Sequence, residues 1–372
     1  MTQYSVFRLE EWFERYEFDV DYLIGSSSCA GMTIDEFFDI TGESFDFYNT
    51  SLSATPGAGS DELREEISLW YKKGSMDNIY VTSSSTEAIF LLIESMLSEG
   101  DSLIATFPMY PALYQLASDN KVEVRHWALE HSNRFEPNFD DLIELSDDST
   151  KLIIINNPQN PTGQIFLHDD LKRLSDFSKK NGIQLWIDEV FRGITVDGGP
   201  VTPSIRDIDE CAIATGSMSK SFGLTGLRIG WISAPSKIID KLHHIRFYTT
   251  VTAPVLEQKI AIKAHRNREK IFYRNQTIID RNYNFLKEWM LEHNSIFDWV
   301  KPKGGPVTFP KFIPEIKTDQ FCKKLVKEKS ILLVPGNYAF SSEGYIRIGY
   351  GESRKFEEGM SKISETIRDH FI

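Results

Sequence analysis

Cysteine is scarce in this chain. Cys29, Cys211 and Cys322 are its three cysteines; they stand far apart and form no CxxC pair. That spacing excludes a disulfide framework and offers no zinc-type ligand set, so no metal is expected. Long hydrophobic runs are missing too: none approaches the ~20 apolar residues of a membrane span, and no membrane partner is expected. The opening MTQYSVFRLEEWFERYEF is acidic and amphipathic, without the apolar stretch of a secretion signal, so the cytoplasm is the expected location. Positive charge is in deficit, with 41 Lys and Arg against 54 Asp and Glu. A net charge of −13 speaks against a nucleic-acid surface, which needs a basic footprint. Two phosphate-binding patterns, GxxxxGK[ST] and GxGxxG, are also absent.

What is present is alternation. DNIYVTS, DSLIATF, VEVRHWA, KLIIINN, IQLWIDE, CAIATGS and RIGWISA are short apolar runs, each with the signature of a buried strand. Amphipathic stretches such as STEAIFLLIESMLSEG and HDDLKRLSDFSKKNG separate several of them. Such alternation predicts an α/β fold with a mostly parallel sheet between helices. The pattern fills residues 45–265, taken as a large domain. Residues 1–44 and 266–372 are taken together as a small α+β domain. It opens its C-terminal part with a long charged helical stretch near AHRNREKIFYRNQTIIDRNYNFLKEWM, followed by strands in GGPVTFPKF, ILLVPGN and GYIRIGYG.

Ligands of an open parallel sheet sit at the carboxyl ends of its strands. The unusual residues of this chain fall there: VTSSSTEA, NNPQNPTG, IDEVFRG and SMSKSFG each follow a strand-like run. A lysine in a serine- and glycine-rich turn either neutralises a phosphate or serves as an amine nucleophile. The second use, with pyridoxal 5'-phosphate, requires four things. Lys220 supplies an amine for the aldehyde. Asp188 supplies an acid to hold the ring nitrogen protonated. The amides and hydroxyls of Ser84, Ser85 and Thr86, opening a helix, suit a phosphate, with Ser217 and Arg228 completing the cup. Asn160 has an amide to donate to the phenolic oxygen.

SMSKSFGLTGLRIGW, NPTG, DEVF and YIRIG, in that setting, resemble the class I/II aminotransferases, pyridoxal phosphate enzymes of fold type I. The resemblance runs over about residues 45–372. It implies a seven-stranded large domain plus a smaller one, and an isologous homodimer acting on a small-molecule amino acid substrate. It also implies that Lys220 forms the Schiff base and takes the α-proton, and that Asp188 and Asn160 hold the ring. Tyr110 would stack on the ring, Ser84, Ser85, Thr86, Ser217 and Arg228 would hold the phosphate, and Arg347 would clamp the substrate carboxylate, with Asn160 also binding substrate.

Two positions depart from the family pattern. Phe191 stands where most relatives carry a tyrosine whose hydroxyl reaches the phenolic oxygen; its lack of a donor predicts a raised imine pKa. Ala54 stands near the place of a tyrosine that reaches the neighbouring subunit's phosphate. The N-terminal RLEEWFERYEFDVDYLIGSSSCAGMTIDEFF also resembles capreomycidine synthase-type enzymes, which process arginine or hydroxyarginine. That second resemblance implies elimination and cyclisation of an arginine-derived substrate to a cyclic guanidino amino acid, with ordinary transamination to a 2-oxo acid as the alternative. Glu10, Glu11, Asp19 and Asp21 are its unranked candidates for meeting the guanidinium.

Overall fold

The structure is a computed structural model that describes residues 4–352 and 355–371. All seven strand-like runs form one sheet: β1 (Ile79–Thr82), β2 (Ser102–Phe107), β3 (Glu123–Ala128), β4 (Thr150–Asn156), β5 (Gln184–Asp188), β6 (Ile213–Ser217) and β7 (Gly230–Ser233). Their order across the sheet is β1-β7-β6-β5-β4-β2-β3. Strand β7 runs antiparallel to both of its neighbours, and every other pair is parallel. Successive side chains leave opposite faces, which is why both faces of each central strand are apolar. Ile153, Ile155 and Ile187 enter one core, whereas Leu152, Ile154 and Trp186 enter the other. The helix Ser85–Met96 covers the second face with Leu91 and Leu92. The helix His168–Asn181 covers the first with Leu171 and Leu174.

Three C-terminal stretches differ in detail from the sequence expectation. The long charged helix is two, Val255–Arg266 and Arg268–Glu292. Asn267 breaks it by turning its side-chain amide onto the Lys263 carbonyl (3.1 Å) and Glu43 (3.2 Å), a local competitor to helical bonding. GGPVTFPKF gives two short strands, Val307–Thr308 and Lys311–Phe312, because Pro310 brings no amide donor between them. ILLVPGN likewise divides. Ile331–Leu332 pairs in parallel with Tyr22–Leu23, and Val334–Pro335 pairs with Ile346–Gly349.

The first of those pairings carries the N-terminal segment onto the C-terminal part of the chain. Its helix, Arg8–Tyr16, is fastened by the Trp12 indole, which donates to the Leu333 carbonyl at 2.9 Å. The following segment, Gly25 to Ser28, then crosses in front of the carboxyl ends of β5 and β6. No helix among the described residues is long and apolar enough to cross a membrane. Nor do His, Cys, Asp and Glu side chains gather there in a metal-binding group.

Candidate active site

A cavity of about 360 Å³ opens at these strand ends, and its walls come from every predicted loop. Lys220, Asp188, Asn160, Tyr110, Phe191, Arg228, Arg347, Ser85 and Thr86 all line it. Two predicted residues do not. Ser84 lies just behind the wall, where its hydroxyl caps the helix Ser85–Met96 by accepting from the Glu87 amide at 3.4 Å. Ser217 points inward: its hydroxyl donates to the Ile229 carbonyl (3.4 Å) and accepts from the Ser219 amide (3.0 Å). The hydroxyl-bearing residue of that turn on the cavity wall is Ser219. Ala54 is exposed, away from this cavity.

The cations of the cavity are not paired with its carboxylates. Among the described residues, no carboxylate lies within ion-pair distance of Lys220, Arg228 or Arg347. Lys220 Nζ donates to the hydroxyls of Ser27 (3.1 Å) and Ser28 (3.3 Å). Burial, and then the neighbouring Arg347 charge, lowers its pKa from the ordinary lysine value and so favours the neutral, nucleophilic amine. Arg228 donates to the Thr225 carbonyl at 3.2 Å, with the Ser219 hydroxyl at 3.5 Å. The Ser85 and Thr86 amides lie in the first turn of their helix, where intrahelical acceptors are missing. Arg228 and that helix terminus make a cradle for an anionic group.

Backbone geometry brings the cradle together. A Cβ at Gly230 would lie 2.5 Å from the Ser84 carbonyl carbon and from the Ser85 nitrogen, so only glycine lets β7 pass this close to the helix start. Ser84 itself takes φ +121°, a backbone region that costs a non-glycine residue about 1–3 kcal/mol. Gly223, at φ +69°, sets its α-carbon against the Ala30 carbonyl, where a Cβ would come within 2.7 Å. Gly226 faces open space and makes no such approach.

Asp188 ends β5 on the floor of the cavity. It accepts from the Thr215 hydroxyl (2.8 Å) and from the Asn156 amide (3.2 Å). Desolvation pushes its pKa from an ordinary 3.8 to about 7, against the pull of the Thr215 hydrogen bond. A protonated heterocycle nitrogen would offset that desolvation, as an ion pair does for a buried carboxylate. The donor set therefore fits pyridoxal phosphate: an amine for its aldehyde, a buried acid for its ring nitrogen, and an anion cradle for its phosphate. Tyr110 adds an aromatic wall, its hydroxyl donating to Glu10 at 2.9 Å. Phe191 is fully buried and brings no donor. Arg347 is fixed by the Gly25 carbonyl (2.8 Å) and by Asn160 Oδ1 (3.1 Å), which leaves the Asn160 amide nitrogen to donate elsewhere.

The sign of the Asp188 shift sets a pH dependence. Its folded pKa lies above the unfolded one, so it favours folding below about pH 4 and loses that contribution as pH rises through 7. Cofactor-free protein should therefore melt at lower temperature at pH 8 than at pH 5. Asp188→Asn should flatten the profile in part, because Glu189, also raised to about 7 by burial, remains. A cofactor-free melting profile that Asp188→Asn leaves equally steep would refute this reading of the carboxyl.

Sequence reasoning missed part of the wall. Ser26, Ser27, Ser28 and Glu17 all reach the cavity, and the run of three serines after Gly25 was the available signal. The four acidic candidates separate. Glu10 lines the cavity. Glu11, about 100° further round the helix, instead accepts from the Tyr338 hydroxyl at 2.5 Å and pairs with Arg15 at 3.2 Å. Asp19 and Asp21 are exposed, the latter with its backbone amide tied to Ser330. These three are withdrawn as substrate contacts.

Residues 49–363 match the family described as aminotransferase class I and II. Capreomycidine synthase of Streptomyces vinaceus is 28% identical over 317 residues, covering 85% of this chain and 81% of the relative. An aspartate aminotransferase of Pyrococcus horikoshii is 27% identical over 324 residues, covering 84% and 82%. Among solved structures, a PLP-dependent aminotransferase from Streptococcus suis superposes with a TM-score of 0.93 at 30% identity, over 99% of each chain. The PLP-dependent cyclase OrfR superposes with a TM-score of 0.92 at 26% identity, over 100% of this chain and 99% of its own.

Proposed function

This chain belongs to the class I and II aminotransferase family, and from that premise we propose that it cyclises a guanidino α-amino acid. It is a pyridoxal-phosphate-dependent enzyme of fold type I. When bound, the cofactor supplies the electron sink that makes an amino acid's α-proton acidic. Lys220 would hold it by its aldehyde, and its amine would take the α-proton as general base. Asp188 charge-pairs with the ring nitrogen, and Asn160 donates to the phenolic oxygen. Arg228, with the Ser85 and Thr86 amides, grips the phosphate, and Tyr110 covers the ring. Arg347 receives the α-carboxylate in its planar fork.

The cyclising outcome keeps every atom of the substrate except one water. A side-chain hydroxyl leaves with a proton, a guanidine nitrogen of the same molecule bonds to the vacated carbon, and that nitrogen's proton is released. The α-proton is returned, and no oxidant is consumed.

One observation carries this reading: the N-terminal segment closes over Lys220. Phe7, Glu10, Phe13, Glu17 and Ser26–Ser28 form the wall opposite the sheet. That wall supplies carboxylates to a site that already holds an arginine for the substrate's other end. The whole-chain likeness to the cyclase OrfR and the match to capreomycidine synthase support it. Transamination to a 2-oxo acid is the second reading, favoured by the equally close likeness to the Streptococcus suis aminotransferase. A substrate panel separates them. Hydroxylated arginine should be processed with higher kcat/KM than alanine, leucine or phenylalanine. Equal or better turnover of those neutral amino acids returns the protein to the transaminase reading.

We also take the working unit to be a homodimer. Tyr48, Phe247 and Tyr248 are largely exposed aromatics, the kind of surface that a partner covers. The protein should sediment at twice the 42.7 kDa chain mass. A fully active monomer at working concentration would contradict this.

A further inference from the structure

A second cavity, of about 320 Å³, joins the first. Glu17, Ser26, Ser28 and Thr225 belong to both, so the two form one continuous space with a waist. Beyond the waist the walls are apolar, with Phe37, Phe38, Leu224, Leu227 and Ile260 among them. Glu17 stands at the waist, and Glu352 lines the second cavity next to it.

No Lys, Arg or His of the described residues lies within ion-pair distance of Glu17 or Glu352. Ser26 draws the Glu352 pKa down, and among the described residues the enclosed Glu352 Oε2 meets no donor. An enclosed carboxylate oxygen without a partner is costly, and proteins keep one where a ligand will satisfy it. The two acids also feel each other. Burial first, and the Glu352 charge second, push Glu17 above its ordinary value; burial pushes Glu352 up as well. Lys220 pulls both down, which places both within electrostatic reach of the reacting amine.

The segment Gly25–Ser28 gives this arrangement its order. The Gly25 carbonyl holds Arg347, Ser26 draws the Glu352 pKa down, and Ser27 and Ser28 receive Lys220. One short run of chain thus sets the carboxylate clamp, the amine and the acidic waist side by side. A molecule with an α-carboxylate at Arg347 and its α-carbon at Lys220 would send its side chain to the waist. A guanidinium suits that place better than an ammonium. Its edge carries several donors for two carboxylates, and its weakly hydrated faces tolerate phenylalanine walls.

We propose that Glu17 and Glu352 together bind the distal guanidinium of the substrate, with the Phe37 and Phe38 cavity receiving its apolar faces. This deepens the reading given above and rests on it: it assigns the residues that choose the substrate. Holding the guanidinium beside Lys220 also keeps its nitrogens near the carbons that react.

The test is an absorbance titration of holoenzyme with L-arginine and with L-citrulline, a neutral analogue of similar shape. Wild type should bind arginine about 10- to 100-fold more tightly. Glu17→Gln and Glu352→Gln should each bring that ratio down towards one, mostly by weakening arginine. Borohydride fixation of the pyridoxyl group on Lys220 checks that each variant still assembles its site. Should Glu352→Gln not assemble, Glu352→Asp, which keeps the charge but withdraws it, should lower the same ratio. If both glutamine variants keep the wild-type ratio, the assignment to Glu17 and Glu352 is overturned while the guanidino reading stands. If wild type itself binds citrulline as well as arginine, the substrate class is wrong and this assignment falls with it.

Discussion

Lys220→Ala should lose about 10³-fold or more of the turnover of any amino acid, since in the proposed mechanism one side chain is both cofactor anchor and base. The purified wild-type protein should be yellow, and borohydride should leave a stable pyridoxyl adduct on the peptide that contains Lys220. The alanine variant should form none. The expectation follows from position as much as from residue type. Lys220 is enclosed, has serine hydroxyls rather than carboxylates as its hydrogen-bond partners, and lies in one cavity with Asp188 and Arg347. Adduct formation on a different lysine, or unchanged turnover in the variant, would remove the centre of the account.

Arg347→Ala should lower kcat/KM by about 10²- to 10³-fold, the usual loss when one member of a buried, hydrogen-bonded charge pair is truncated. Arg347→Lys should recover little, because an ammonium lacks the planar fork that meets a carboxylate at two points. The loss should be confined to amino acid binding and turnover, with the borohydride adduct on Lys220 still forming. Arg347 is buried and held from two sides by Gly25 and Asn160, so its fork is set before substrate arrives. An alanine variant with wild-type kcat/KM would show that the carboxylate is held elsewhere.

Much of this was legible in the residues. The seven strands announced themselves because a strand buried on both faces must be apolar throughout, and KLIIINN or IQLWIDE has few other uses. The site was legible for a related reason: strand ends in a parallel sheet converge, so polar loops distant in sequence meet. Tertiary closure was much harder to see. Lys220 and Ser27 are 193 positions apart, and nothing local to IGSSS says that it will cross the lysine. Glu17 and Glu352 meet for the same reason. Ser217 and Ser219 show a finer limit, since the motif names a serine but only the local turn decides which one reaches the cavity. The helix break at Asn267 and the interruption at Pro310 were visible as residues, but their weight depended on the packing around them.

The reaction's outcome is the measurement that bears most directly on the account. Holoenzyme should be incubated with a hydroxylated arginine, without any 2-oxo acid, and the products identified by mass spectrometry. The predicted result is many turnovers per active site to a cyclic guanidino amino acid lighter than the substrate by one water. A single turnover to the 2-oxo acid, with the amino group left on the cofactor, would contradict it.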